Sequence, residues 1–185
     1  MSALRILVIV ALQTAVLGYM IFDRTSILNS AQVVTLKVKP VDPQDMFRGD
    51  YVVLRYDISQ IETAALGGDD NYVQGSWAYL TLTQQNGAWT PTAVNNSMPS
   101  SAQGAVILRG KVDSVRPNGD ANPPSLSLTY GIESFFVPQG QGKAIEDERQ
   151  KGDLSADIAV DAQGRGAVKD LRRDSGDVIY SESLF

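Results

Sequence analysis

Asp42, Asp45, Arg48 and Asp50 crowd a short stretch just ahead of an apolar run, and Tyr51 opens that run. Carboxylates at this density could hold a hard cation such as Ca²⁺ through their oxygens, or serve a carboxylate-dependent hydrolase through Asp42 and Asp45. The pattern argues against both. EF-hand spacing is missing, Arg48 would repel a cation, and Asp42 and Asp50 sit where turns are capped. No catalytic residue, no metal and no cofactor is therefore assigned. Asp42, Asp45, Arg48 and Tyr51 remain as a candidate polar site. Asp69-Asp70-Asn71 is equally unspecific and reads as a solvated loop tip.

What the chain lacks narrows the chemistry further. Its 185 residues include no cysteine and no histidine. Disulfides, thiolate nucleophiles, Cys/His zinc sites and Ser-His-Asp or Cys-His mechanisms are all excluded. A Gly-Asp-Tyr-Val strand followed by a basic strand superficially resembles the type I signal peptidase family, whose Ser-Lys dyad requires Ser-Met-x-Pro ahead of Gly-Asp. Here Val41 stands where the serine should be. Lys111 has no nucleophile with it, and Ser97-Met98-Pro99 lacks the intervening residue. A serine protease cannot omit its nucleophile, so that activity is rejected.

Such residues need elements to position them. The net charge is −5, with no basic cluster, which disfavours nucleic acid as a partner. Hydrophobic residues make up 43% and charged ones 20%, the balance of a folded domain rather than a disordered chain. Residues 6–22 are apolar but for Gln13 and Thr14. Such a run makes about 25 Å of helix, the short end of what spans a bilayer. Its length, and the lack of small residues at a suitable cleavage point, favour an uncleaved anchor over a signal peptide. With Leu4 and Arg5 included, residues 4–22 are the expected membrane-embedded part. Arg5 and Arg24 balance the flanks, and the N-terminal amine tips the orientation towards N-inside. Ala11 and Ala15 have small-xxx-small spacing, a weak helix-pairing pattern. The expected organisation is an anchor over 1–24, a polar spacer over 25–32, and a β-rich domain over 33–185.

Period-2 alternation dominates that domain. Val34, Leu36 and Val38 share one face. Val52, Leu54, Tyr56 and Ile58 share another, opposite Tyr51, Val53, Arg55 and Asp57. Residues 77–83 and 88–94 flank Asn86-Gly87, which predicts a hairpin with a type I′ turn. Residues 104–115 and the positions Leu126, Leu128, Tyr130 and Ile132 continue the pattern. A last hairpin is expected over 154–160 and 167–171, turning at Asp161-Ala162-Gln163-Gly164. Residues 143–151 predict one short helix stopped by Gly152. Residues 61–75 and 95–103 read as polar loops. Many short strands separated by turns predict a mainly β, single antiparallel barrel or sandwich-like domain.

The run Gly49-Asp50-Tyr51-Val52-Val53-Leu54-Arg55-Tyr56 matches Gly-Asp-Tyr-x-x-Leu-x-Tyr at each defined position. With its flank Pro40-x-Asp42-Pro43-x-Asp45-x-x-Arg48 and the later block Tyr130-Gly131-Ile132-Glu133, the chain resembles the bacterial GDYXXLXY family of membrane-anchored proteins. Gln139 and Gln141 depart from it, since acidic residues would be expected there. The resemblance implies a one-pass inner-membrane protein whose β-rich domain lies in the periplasm or otherwise outside the cytoplasm. It also implies a polytopic membrane protein as partner.

Residue by residue, the motif has a structural explanation. Gly49 frees the backbone at the strand entrance, Asp50 caps the turn, and Leu54 and Tyr56 face the core. The favoured function is a non-enzymatic accessory or interaction domain of the cell envelope. The alternative is a small-molecule or glycan binding module using Trp77, Tyr79, Trp89, Phe135 and Phe136.

Overall fold

Strand periodicity becomes a core only when inward faces meet. A computed structural model describes residues 2–39, 51–100, 104–117, 124–136, 145 and 151–182. It begins with helix α1 (Ser2–Leu28), followed by strands β1 (Gln32–Lys39), β2 (Tyr51–Val53), β3 (Arg55–Tyr56), β4 (Gln60–Glu62) and β5 (Gly67–Gly68). A long hairpin follows, β6 (Trp77–Gln85) and β7 (Ala88–Asn95), and then β8 (Ala105–Arg116), β9 (Ser125–Thr129) and β10 (Ser134–Phe136). The chain closes with β11 (Leu154–Val160), β12 (Gly166–Arg173) and β13 (Val178–Ser181).

One sheet has the order β13-β12-β11-β1-β3, and the other β4-β9-β8-β6-β7-β5. A two-stranded ribbon, β10-β2, joins them at the signature. Among the described residues every pairing is antiparallel except β5 with β7. Both large sheets keep edges among the described residues, so the architecture is sandwich-like and the closed-barrel alternative falls away. Val34, Leu36 and Val38 of β1 meet Leu80 and Leu82 of β6, Leu108 of β8, and Leu154, Ile158 and Leu171 of β11–β12 in one core. Each such side chain contributes about 1.5–3 kcal/mol by leaving water.

The Asn86-Gly87 turn forms as its residue types require, with φ of +52° and +83°. The β11–β12 hairpin also forms at its expected place. Other expectations change. Residues 51–58 do not make one strand: β2 joins β10, β3 joins β1, and a 3₁₀ turn (Asp57–Ser59) follows. The expected loop over 61–75 contains part of β4 and all of β5, and β13 was not anticipated. Ile145 and Lys151 are helical, and Gly152 has φ +77°; the rest of the expected 143–151 helix lies outside the described residues.

Helix α1 does not stop at Asp23-Arg24. It runs about 40 Å, through Leu28, and β1 begins at Gln32. The span expected as a polar spacer is therefore helix and a short turn. Ala3–Leu28 is long and apolar enough to cross a membrane, and its most apolar stretch, with a mean hydropathy of 2.0, is uncovered by the rest of the chain. Thr14 is satisfied within the helix, its hydroxyl donating to the Val10 carbonyl at 2.9 Å. At the other end Ile27 and Leu28 are buried against Ala167 of β12. That docking helps explain why every residue of β11 is buried although only alternate ones face the core.

Candidate functional site

The signature residues that are described build a knot between two distant pieces of chain. In the ribbon, Tyr51, Val52 and Val53 lie opposite Phe136, Phe135 and Ser134. Leu54 then leaves the ladder. Its N–H donates to the Glu133 carbonyl at 2.7 Å, and its side chain enters the core. Val53 remains 42% exposed, so the alternation expected through 53–58 holds although the strand breaks.

Tyr56 and Tyr130 are both buried, and each closes the other's segment. The Tyr56 hydroxyl donates to the Ile132 carbonyl at 2.8 Å, and the Tyr130 hydroxyl donates to the Ile58 carbonyl at 2.7 Å. Ser59 accepts from the Tyr56 N–H at 3.1 Å. The Glu133 carboxylate accepts from the N–H groups of Tyr130 and Gly131, at 2.6 and 2.8 Å. That bidentate cap holds Gly131 at φ +79°. Gly110 leaves room for the Tyr130 ring, since a Cβ there would meet ring carbons at 2.9–3.0 Å. Burial, and secondarily the Glu133 charge, push both phenols well above their ordinary value. They are neutral donors at physiological pH, not phenolate nucleophiles.

Asp42, Asp45 and Arg48, with Gly49 and Asp50, lie outside the described residues, and Tyr51 is placed by its backbone alone. Gln139 and Gln141 lie outside them too. No group of three or more Asp or Glu that could hold a metal occurs among the described residues. Asp69 serves as a brace: its carboxylate accepts from the Asn96 N–H at 2.8 Å, and the Asn96 amide donates to the Asn71 carbonyl at 2.8 Å. Gly68 must stay glycine beside it, because a Cβ would fall 1.7 Å from the Val94 carbonyl oxygen. Tyr72 donates to the Val94 carbonyl at 3.0 Å, and burial, with Asp69 and Asp70, pushes its phenol up to about 12. Lys111 is exposed on β8, opposite Trp77 and Thr129.

The aromatic candidates separate. Phe135 is buried edge-on against Tyr180, with centroids 4.9 Å apart. Trp89 lines an open groove of about 390 Å³ with Asp57, Ile61, Glu62, Leu66 and Pro91. Trp77 is 50% exposed, with the Arg109 guanidinium 4.5 Å from its ring centroid. Phe136 lies in β10, and its side chain is outside the described set. These rings do not converge on one pocket among the described residues.

A second polar cluster had no motif to announce it. Arg165 donates from Nη1 to both Asp23 carboxylate oxygens, at 2.8 and 2.9 Å, and from Nε to Asp161 at 2.7 Å. Asp161 also accepts from the N–H groups of Gln163 and Arg165, shaping the β11–β12 turn. These two carboxylates, Asp161 first, hold the Arg165 guanidinium above its ordinary value. Arg24 donates to both oxygens of Glu182, at 2.9 and 3.2 Å. Together with Ile27 and Leu28, these pairs latch the end of α1 to the domain. A polar network lies on the same sheet. Thr35 and Arg172 both donate to the buried Asp157, while Ser155 and Lys37 donate to Asp174. The charged pair Asp23-Arg24 at the end of an apolar run was the available hint of the latch, and nothing local tells which distant charges they meet.

Fold and site define a sandwich-like β domain latched to an N-terminal helix that is long and apolar enough to cross a membrane. The sequence matches the family described as GDYXXLXY protein over residues 13–171, and the chain belongs to that family. Comparison with curated proteins and with solved structures found no match.

Proposed function

We propose that the protein is a single-pass, membrane-anchored accessory domain of a bacterial cell envelope. In this reading the β domain lies outside the cytoplasm, in the periplasm of an inner-membrane protein, and binds a polytopic membrane protein. One observation carries it: the apolar helix is not joined by a loose tether but is latched to the β domain through Arg165–Asp23, Arg24–Glu182 and Ile27–Leu28 on Ala167. A latched helix holds the domain at a set height and rotation over the bilayer, as suits a domain that meets a neighbouring membrane protein.

Crosslinking in intact membranes followed by affinity purification is expected to recover one stoichiometric membrane partner. Repeated recovery of the protein alone, as a monomer, overturns the reading. The cysteine-free sequence makes topology direct to test. Val178→Cys, at an exposed position, should react with a membrane-impermeant maleimide in cells whose outer barrier alone is opened. The binding-module alternative draws on the Trp89 groove. Glycan or small-ligand titration that quenches Trp89 emission, but not that of Trp89→Phe, would favour it.

A further inference from the structure

The outer face of the six-stranded sheet carries a patch apart from the signature knot and the helix latch. Trp77 of β6 lies opposite Lys111 of β8 in the ladder, and Tyr79 lies opposite Arg109. Alternate positions of paired strands share a face, so the four side chains form one surface. Among the described residues neither Arg109 nor Lys111 has a carboxylate partner. Asp113, the next outward position of β8, accepts from Thr129. A chain of net charge −5 thus keeps two cations together beside a half-exposed indole.

The patch is tied to the exit of the helix. The Arg109 N–H donates to the Gly164 carbonyl at 2.7 Å, in the turn whose next residue, Arg165, grips Asp23 of α1. Arg165 engages both carboxylates on this path, Asp23 and Asp161, within the latch, while Arg109 and Lys111 stand on the patch itself with no carboxylate in ion-pair contact among the described residues.

We propose that Trp77, Tyr79, Arg109 and Lys111 form a second membrane contact, seated on the anionic headgroups of the bilayer that α1 crosses. Indole and phenol rings favour the membrane–water interface, and Lys or Arg within a Debye length of an anionic leaflet is attracted to it. The indole under the Arg109 guanidinium keeps that cation extended over the apolar part of the patch. Two contacts, helix and patch, then set the tilt at which the latched helix and domain together stand in the bilayer. This inference rests on the anchor reading.

The test uses the full-length chain, reconstituted into vesicles of phosphatidylcholine alone or mixed with phosphatidylglycerol. Both carry bromines high on the acyl chains. In a Trp89→Phe background, Trp77 is the remaining tryptophan. Its emission should be quenched and blue-shifted in the phosphatidylglycerol vesicles, and both changes should be lost in Arg109→Glu/Lys111→Glu. Arg109→Gln/Lys111→Gln should lose part of each. Trp89 emission in a Trp77→Phe protein carrying the same charge changes reports that the fold persists. Equal quenching in the two vesicles, no quenching in either, or full quenching in the glutamate variant overturns the proposal. Flotation with vesicles at alkaline pH reads the anchor separately. Protein that floats with an unquenched Trp77 defeats the patch alone, and protein that fails to float defeats the anchor.

Discussion

The signature knot and the helix latch each join distant parts of the chain, by opposite physics. The knot is buried and closed by two neutral hydroxyl donors. Tyr56 and Tyr130 exchange hydrogen bonds with backbone carbonyls, over Leu54 and a glycine-lined gap. The latch is half-exposed and ionic, with Arg165 and Asp23 side chains each 33% accessible. Loss of a partner in a dry site strands a polar group, whereas water can replace a partner at the surface. The knot should therefore govern whether the domain folds, and the latch how it is held.

The largest expected effect tests the knot. Leu54→Ala removes a fully buried side chain and should cost about 2–5 kcal/mol in urea unfolding of the detergent-solubilised chain. Tyr56→Phe strands the Ile132 carbonyl and Tyr130→Phe strands that of Ile58, each costing about 1–3 kcal/mol. The double variant should be non-additive, because both bonds close one junction. Additive losses would separate the two tyrosines and break the knot as a unit. Gly110→Ala should cost about 1–3 kcal/mol by overpacking the Tyr130 ring, and Tyr130→Leu should relieve part of that loss.

The knot also has an alkaline signature. Both phenols are raised in the folded state, so their stabilisation is complete below the unfolded value, 10.0, and is lost as pH rises towards the folded one. The unfolding free energy should fall above about pH 10, and the Tyr56→Phe/Tyr130→Phe protein should show a flatter profile. Equal slopes would mean that neither phenol is buried as described.

The latch should respond differently. Arg165→Met should change the unfolding free energy by no more than about 1 kcal/mol. It should nevertheless broaden the distance distribution between spin labels on α1 and β12. A narrow distribution in that variant would assign the docking to Ile27 and Leu28 instead. The smallest effect is expected at Asp174, whose carboxyl is held below its ordinary range mainly by the Lys37 hydrogen bond. Its contribution is present above the unfolded value, 3.8, and is lost as pH falls towards the lower folded one. Asp174→Asn should therefore flatten only the acid limb of the profile.

Much of the fold was legible because its signals are local. The Asn86-Gly87 pair, the alternation in β1 and β6, and the last hairpin each declare themselves within a few residues. The strand expected over residues 51–58 was misread because alternation reports which side a residue faces, not which strand it pairs with. Leu54 keeps the inward parity while its N–H turns to the Glu133 carbonyl. The polar spacer was misread for a related reason. Ile27 and Leu28 are too few to give a periodic signal, and Ala167 supplies the rest of their apolar surface.

The sequence by itself determined the apolar helix, the mainly β character, the turn at Asn86-Gly87, the exclusion of cysteine and histidine chemistry, and the family. Each of these depends on composition or on neighbours along the chain. Only the tertiary structure decided that Tyr56 meets Ile132 across 76 positions and that Asp23 meets Arg165 across 142. Such pairings are set by how the sheets pack and which edges meet, and no local period carries that information. The motif most visible in the sequence thus stands as the closure of a core, while the residues that hold the domain to its helix carry no signature at all.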